Sequence, residues 1–312
     1  MNKHTVVIIA GPTASGKSQL AIDVAKELNG VILNADSMQI YQGTPILSAV
    51  PNIKDKQEAE HRLYELFPNN FNGSVIDWLE KIVPEIKKVW QENKVPIVVG
   101  GTGLYIDNLI NGTTPIPETS KKAHNETMAL LQKIGVQELH KKLKEVDEKT
   151  ALRLSENDTT RVRRAYEVWL DTGIPLSEWH EKPMINKLPE ARYFVVKIIP
   201  EQSELDEKCY MRFDKMIELG ALEEVKNLIF KKIDKSKPAM KALGVPELMA
   251  FAEGKISLKE AVELAKLHTR QYAKRQLTWF KAKLKANFEL NKCYVTDKKL
   301  VKKIIFDVKN QL

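Results

Sequence analysis

One run near the start constrains this chain more than any other feature. Gly11-Pro12-Thr13-Ala14-Ser15-Gly16-Lys17-Ser18 follows the apolar run Thr5 to Ala10 and opens an amphipathic segment, Gln19 to Leu28, that Asn29-Gly30 can terminate. In a strand, loop and helix context this spacing predicts a phosphate site. Backbone N–H groups at a helix N-terminus cradle anionic oxygens, Lys17 reaches the far phosphates, and Ser18 can place its hydroxyl on a Mg²⁺ ion. An ordinary glycine-rich connection explains neither the paired Lys-Ser nor the context. The motif leaves the phosphorylated molecule open. A kinase, an ATPase and a transferase with a diphosphate leaving group can all begin this way.

The first hundred residues alternate short apolar runs with helical patterns, as a parallel α/β sheet requires. Val6 to Ala10 ends in the phosphate loop, Val31 to Leu33 runs through Asn34-Ala35 to Asp36-Ser37, and Pro96 to Val99 ends in Gly100-Gly101-Thr102-Gly103-Leu104-Tyr105. Ligands of open parallel sheets sit at the carboxyl ends of strands, so these loops should converge on one crevice. Val75 to Glu92 reads as a crossover helix with Trp78, Ile82, Ile86 and Val89 on one face and Pro84 bending or interrupting it. After Asn111-Gly112 a linker-like stretch, Thr113 to Pro117, precedes successive helices from Thr119 to about His180, and Tyr193 to Ile199 returns to β texture. The expected class is α/β: a P-loop-type parallel sheet core from 1–112 and 191–312, with a helical C-terminal region, and a helical insertion over 113–190.

Charge adds a direction. The formal net charge is +8, which suits an anionic partner but also plain solubility. Ala265 to Phe288 contains Lys266, Arg270, Lys274, Arg275, Lys281, Lys283 and Lys285 and no acidic residue. Ala273, Leu277, Phe280 and Leu284 form a core stripe there, placing Arg270, Lys274, Lys281 and Lys285 on one flank. That is the footprint of a phosphate-backbone contact, and equally of a solvated helix face. In the insertion, Val162, Tyr166 and Trp169 form an apolar stripe with Arg161 and Arg164 on one flank and Arg163 on the other. Cys209 and Cys293 fit no metal spacing and are expected to be reduced, inert thiols. With no apolar run of membrane-spanning length and no signal-like start, a cytoplasmic protein is expected.

Asp36 at a strand end beside the phosphate loop has two chemical roles open to it, a Mg²⁺ ligand or a general base, and one structural role as a turn or capping aspartate. Asp36-Ser37-Met38-Gln39 supplies carboxylate, hydroxyl and amide groups able to fix a nucleobase edge. Gly100-Gly101-Thr102-Gly103 allows close backbone approach and offers the Thr102 hydroxyl, although a packing turn has the same composition.

Four blocks together resemble the tRNA dimethylallyltransferase (tRNA isopentenyltransferase) family over essentially the full length. They are Gly11 to Ser18, Asn34 to Tyr41, Gly100 to Tyr105, and Thr269-Arg270-Gln271-Tyr272-Ala273-Lys274-Arg275-Gln276-Leu277-Thr278-Trp279-Phe280. Asn157-Asp158 with Arg161 and Arg164, and Pro238 to Gly244, support them. The resemblance implies transfer of a dimethylallyl group from dimethylallyl diphosphate to the exocyclic amine of the adenine just 3′ of the anticodon in tRNA. It implies that Gly11, Thr13, Ala14, Ser15, Gly16, Lys17, Ser18 and Lys241 hold the diphosphate, with Mg²⁺ as cofactor near Ser18. Asp36 would accept the amine proton and Thr102 would help hold the reacting parts. The anticodon stem-loop would be met by Asp36, Ser37, Met38, Gln39 and Thr102 at the base, by Thr160, Arg161 and Arg164 in the insertion, and by Arg270, Lys274 and Arg275 on the basic helix, with the base extruded from its stack. A monomer is expected.

The chain departs from the family pattern in places. Where the family usually has Gly-Thr-Ala-Lys-Pro it reads Leu47-Ser48-Ala49-Val50-Pro51, so one expected cation is absent. His61-Arg62 replaces a His-His pair, Thr160 replaces a Gln, and Lys121 or Lys122 substitutes for an early Arg of the insertion. Gly244-Val245-Pro246-Glu247 is similar to relatives that prenylate free adenine nucleotides. A small-molecule kinase, a free-nucleotide prenyltransferase and a non-catalytic RNA-binding protein are the competing readings.

Overall fold

The apolar run after His4 becomes β1 (Thr5–Ala10), with every residue buried, because β-branched side chains on both faces of a strand need cover on both sides. Val6, Ile8 and Ala10 point into one core and Val7 and Ile9 into another. The computed structural model describes residues 4–311 and contains two compact units, one running to Ile110 and resuming at Lys187, the other Asn111–Asn186.

In the first unit β1 is followed by α1 (Lys17–Leu28), β2 (Gly30–Asn34), α2 (Ile53–Glu58), β3 (Glu60–Arg62), α3 (Val75–Gln91), β4 (Val95–Gly100) and α4 (Gly103–Asn111). The second unit contributes α5 (Lys121–Val146), α6 (Glu148–Arg153), α7 (Thr159–Thr172) and α8 (Leu176–Glu181). The first then resumes with β5 (Arg192–Ile198), α9 (Gln202–Glu218), α10 (Ala221–Phe230), a 3₁₀ turn at Pro238–Lys241, α11 (Val245–Ala252), α12 (Leu258–Lys283), β6 (Phe288–Leu290) and α13 (Lys298–Gln311).

The six strands lie in the order β3-β2-β4-β1-β5-β6, and each pairing is parallel. A parallel sheet puts the carboxyl ends of β1, β2 and β4 at one edge, which brings their loops together. Residues of α3, α4 and Phe280 of α12 cover one face, and residues of α1 and α13 cover the other. A third cluster, with Phe213, Val225, Leu248 and Ala265, joins α9, α10, α11 and the first half of α12. The expected α/β parallel core is thus present.

Several local expectations change. Pro84 does not interrupt α3, which runs through it; Pro84 and Glu80 are not buried, so the carbonyl that loses its bond stays solvated. Helix α1 starts at Lys17, because Gly16 adopts φ 85° at its N-cap. Helix α12 stops at Lys283, with Leu284 extended at φ −96°, ψ 115°. The buried Lys197 amine donates to the Leu284 carbonyl at 2.9 Å and pairs with Glu289 at 2.7 Å. Lys285 therefore lies beyond the helix and does not share the flank of Arg270, Lys274 and Lys281.

The second unit has its own core of Leu139, Leu143, Ala151, Val162 and Ala165, and its bounds can be set against the expected 113–190. Its long helix α5 breaks at Gly135. Ala165 and Val168 are fully buried, with Tyr166 and Trp169 outside the fully buried set, so the α7 stripe is rotated from the one expected. The reason is Glu167, buried on that face and bonded to Arg163 at 2.6 Å, Arg164 at 3.0 Å, His124 at 3.1 Å and Thr119 at 2.5 Å. Arg163 and Arg164 thus share one partner instead of opposing each other.

Candidate active site

The phosphate loop is held from outside itself. Gly16 can only be glycine: its φ is 85° and a Cβ would stand 2.4 Å from the Tyr294 carbonyl oxygen. The Tyr294 N–H donates to the Ser15 carbonyl at 2.9 Å, so the segment after β6 fixes the loop's rear. Lys17 is buried, and its ammonium donates to the Pro12 carbonyl at 3.4 Å. Burial pulls its pKa down to about 8, against the pull of Asp36 in the other direction.

The β2 loop is built as a tight turn around Asp36. The Asn34 side chain accepts from the Asp36 N–H at 2.8 Å, and Asp36 Oδ1 accepts from the Met38 N–H at 3.0 Å. The Ser37 N–H donates to Thr102 Oγ1 at 2.8 Å, and that hydroxyl donates to Ser37 Oγ at 3.1 Å, tying the β2 loop to the β4 loop. Gln39 donates to the carbonyls of Ser48 at 2.9 Å and Ala49 at 2.7 Å, so its amide positions the Leu47–Pro51 stretch.

One cavity of about 300 Å³ opens among these pieces. Thr13, Lys17 and Arg212 bring cations and a hydroxyl to it, Asp36 to Gln39 bring the β2 loop, and Leu47, Phe213, Met216 and Leu243 give it an apolar wall. Lys241, Tyr272 and Arg275 also line it. Arg212 donates to Thr13 Oγ1 at 3.0 Å, and burial pushes its pKa down while Cys209 and Asp36 oppose that shift. Burial raises the Cys209 thiol to about 11 and the Cys293 thiol to about 12, which keeps both protonated and unreactive at neutral pH. A space with four cationic side chains and a carboxylate against an apolar wall suits an anion that carries a hydrocarbon and a second reactant that gives up a proton.

The family model described as IPP transferase matches residues 39–283. The chain belongs to that family. It is similar to a tRNA dimethylallyltransferase of Granulibacter bethesdensis, 41% identical over 281 residues that cover 90% of this chain and 88% of that protein. Among solved structures it is similar to the full-length tRNA isopentenylpyrophosphate transferase of Bacillus halodurans, with TM-score 0.70 and 29% identity over 99% of this chain and 98% of that one. It is also similar to a eukaryotic dimethylallyltransferase captured acting on tRNA, with TM-score 0.74 and 26% identity over 88% of this chain and 69% of that one.

Within this IPP transferase fold the residues singled out in the sequence separate into groups. Of the phosphate loop, Thr13 and Lys17 line the cavity; Gly11 and Ser15 are buried without lining it, and Ser18 is exposed. Ala14 takes φ 63° in the bend. Asp36, Ser37, Met38, Gln39, Lys241 and Arg275 line the cavity, whereas Thr102 acts on it through Ser37. Lys274 is exposed on α12, and Arg270 is paired with Asp206 at 2.8 Å. In the second unit Thr160 and Arg161 are exposed at the start of α7, Arg161 bonded to Asp158 at 3.2 Å, while Arg164 is tied to Glu167 and Thr119.

Two residues escaped the sequence reading. Arg212 follows Cys209 by three positions and precedes Met216 by four, which puts a charge on the buried face of α9. Gln276 likewise interrupts the buried stripe of Thr269, Ala273, Leu277 and Phe280 on α12. A polar residue on a core stripe was the available signal in both cases.

Proposed function

We propose that this chain transfers a dimethylallyl group from dimethylallyl diphosphate to the exocyclic amine of the adenine 3′ of the anticodon in tRNA. The observation that carries the reading is that Lys17, Arg212, Asp36 and an apolar wall face one cavity. Lys17, Arg212, Thr13 and Lys241 hold the diphosphate. The five-carbon group lies against Leu47, Phe213, Met216 and Leu243. The amine lone pair attacks the first allylic carbon, the carbon–oxygen bond breaks, and the diphosphate leaves with the electron pair. Asp36 takes the proton from the amine. An arylamine is a weak nucleophile, so holding it against the carbon matters as much as the base.

Mg²⁺ is the cofactor of this reading. Among the described residues no group of three or more His, Cys, Asp and Glu side chains is placed to hold a metal. Ser18, exposed directly after Lys17, is the residue that would serve as its protein ligand. Mg²⁺ held there would supply positive charge against the leaving diphosphate.

Thr160 and Arg161 on α7, and Lys274, Arg275 and Lys281 on α12, are the RNA contacts of this reading. The cavity is lined by residues of the first unit, and a monomer is the assembly of this reading. No described helix is long and apolar enough to cross a membrane, and a cytoplasmic site of action fits a tRNA substrate. Incubating purified protein with tRNA and either dimethylallyl diphosphate or ATP tests the donor. Nucleoside mass analysis should show adenosine gaining five carbons and eight hydrogens from the first and nothing from the second. Phosphate transfer from ATP with no prenyl product would favour a kinase.

A further inference from the structure

Gln276 is buried at 6% exposure on α12 and does not line the cavity, yet its amide joins two of the loops that do the work. Its Oε1 accepts from the Thr13 N–H at 2.8 Å and its Nε2 donates to the Gly101 carbonyl at 2.8 Å. The two partners fix which end is which, because a flipped amide would set N–H against N–H and oxygen against oxygen. The fit leaves no slack at Gly101, where a Cβ would stand 2.4 Å from Nε2 and 3.4 Å from Asp36 Oδ2. Thr13 in turn receives Arg212 through its hydroxyl, and Thr102, next to Gly101, holds Ser37 beside Asp36.

We infer that Gln276 is a positioning residue that sets the distance between the diphosphate side of the site, through Thr13, and the base side, through Gly101. This rests on the transfer reaction proposed above. Thr13, which receives Arg212 and precedes Lys17, lies on the loop after β1, and Asp36, the carboxylate that receives the proton, lies on the loop after β2. The β4 loop is bonded to the β2 loop by Thr102, so the amide of Gln276 closes the remaining gap to β1. Reacting atoms must be held about 3 to 3.5 Å apart and aligned, and a misplacement of about 1 Å costs on the order of 10²-fold in rate.

The test compares Gln276→Met, which keeps length and removes both bonds, with Gln276→Glu, which keeps an acceptor for Thr13 and removes the donor to Gly101. Rates are expressed per active site titrated in a single-turnover burst, so partial misfolding does not enter. Gln276→Met should lower kcat on the order of 10²-fold and raise KM for dimethylallyl diphosphate about tenfold, with the tRNA dissociation constant within about twofold of wild type. Gln276→Glu should lower kcat with a smaller rise in that KM, and it carries the test if the Met variant does not fold. Wild-type kcat and KM per active site in the variants would overturn the inference. Absence of prenyl transfer by the wild-type protein would instead overturn the function on which it rests.

Discussion

Lys17 carries its charge where water scarcely reaches, and that has a pH signature. Burial favours the neutral amine, so the pKa falls from 10.5 to about 8, and the ammonium is lost as pH rises through that value. If the ammonium holds the diphosphate, the Lys17 contribution to KM for dimethylallyl diphosphate should be constant below about pH 8, and KM should rise about tenfold per pH unit above it. Lys17→Met should raise KM throughout and abolish that upper limb; a wild-type KM that stays flat to about pH 10 would remove Lys17 from the diphosphate. Asp36→Ala should leave tRNA binding intact and lower turnover by about 10² to 10⁴, the range for losing a general base. Turnover like that of wild type would reduce Asp36 to a turn residue. Lys17 was legible from the spacing of the phosphate loop, whereas Asp36 stood out by its place after β2 with its role left open between metal ligand, base and turn residue. Arg212 was not: it reaches Thr13 across 199 positions of sequence, and nothing local to α9 names that partner.

At the scale of elements, α12 has a packed side and a basic side that do different things. Lys274 and Lys281 are exposed, whereas Arg270 already has Asp206 as a partner. Changing Lys274 or Lys281 to Gln should reduce the slope of log tRNA affinity against log salt by roughly 0.7 to 0.9 for each phosphate left without its cation, and Arg270→Gln should do less. Equal effects at all three positions, or none, would refute this division of roles. In the second unit, burial works against the Glu167 carboxylate, but its bonds to Thr119 and His124 and the charges of Arg163 and Arg164 outweigh it and hold the pKa below the usual carboxylate range. A depressed carboxylate stabilises above its unfolded pKa and loses that contribution as pH falls through the folded one. Glu167→Gln should therefore cost about 2 kcal/mol at neutral pH and much less in acid, read from hydrogen exchange of α7 amides. The long amphipathic elements were legible from periodicity. Strands β3 and β6, three residues each, were not, since Glu60-His61-Arg62 has no apolar alternation and becomes a strand only by pairing with β2.

Across the whole molecule, a parallel sheet collects three loops at one edge, and α9, the 3₁₀ turn and α12 close a cavity over them. The apolar run patterns and the phosphate loop made the α/β class readable in the sequence. The cavity's apolar wall was not readable, because Leu47, Phe213, Met216 and Leu243 come together only through the packing of separate helices and a loop. The central claim is that this cavity prenylates one adenine of a folded RNA. Position-resolved fragment mapping by mass spectrometry, on full-length tRNA incubated with dimethylallyl diphosphate in the presence of excess free AMP, tests it most directly. A single dimethylallyl group on the adenine 3′ of the anticodon, with AMP unmodified, is the predicted result; a dimethylallyl group on AMP, or at scattered adenines, would contradict it.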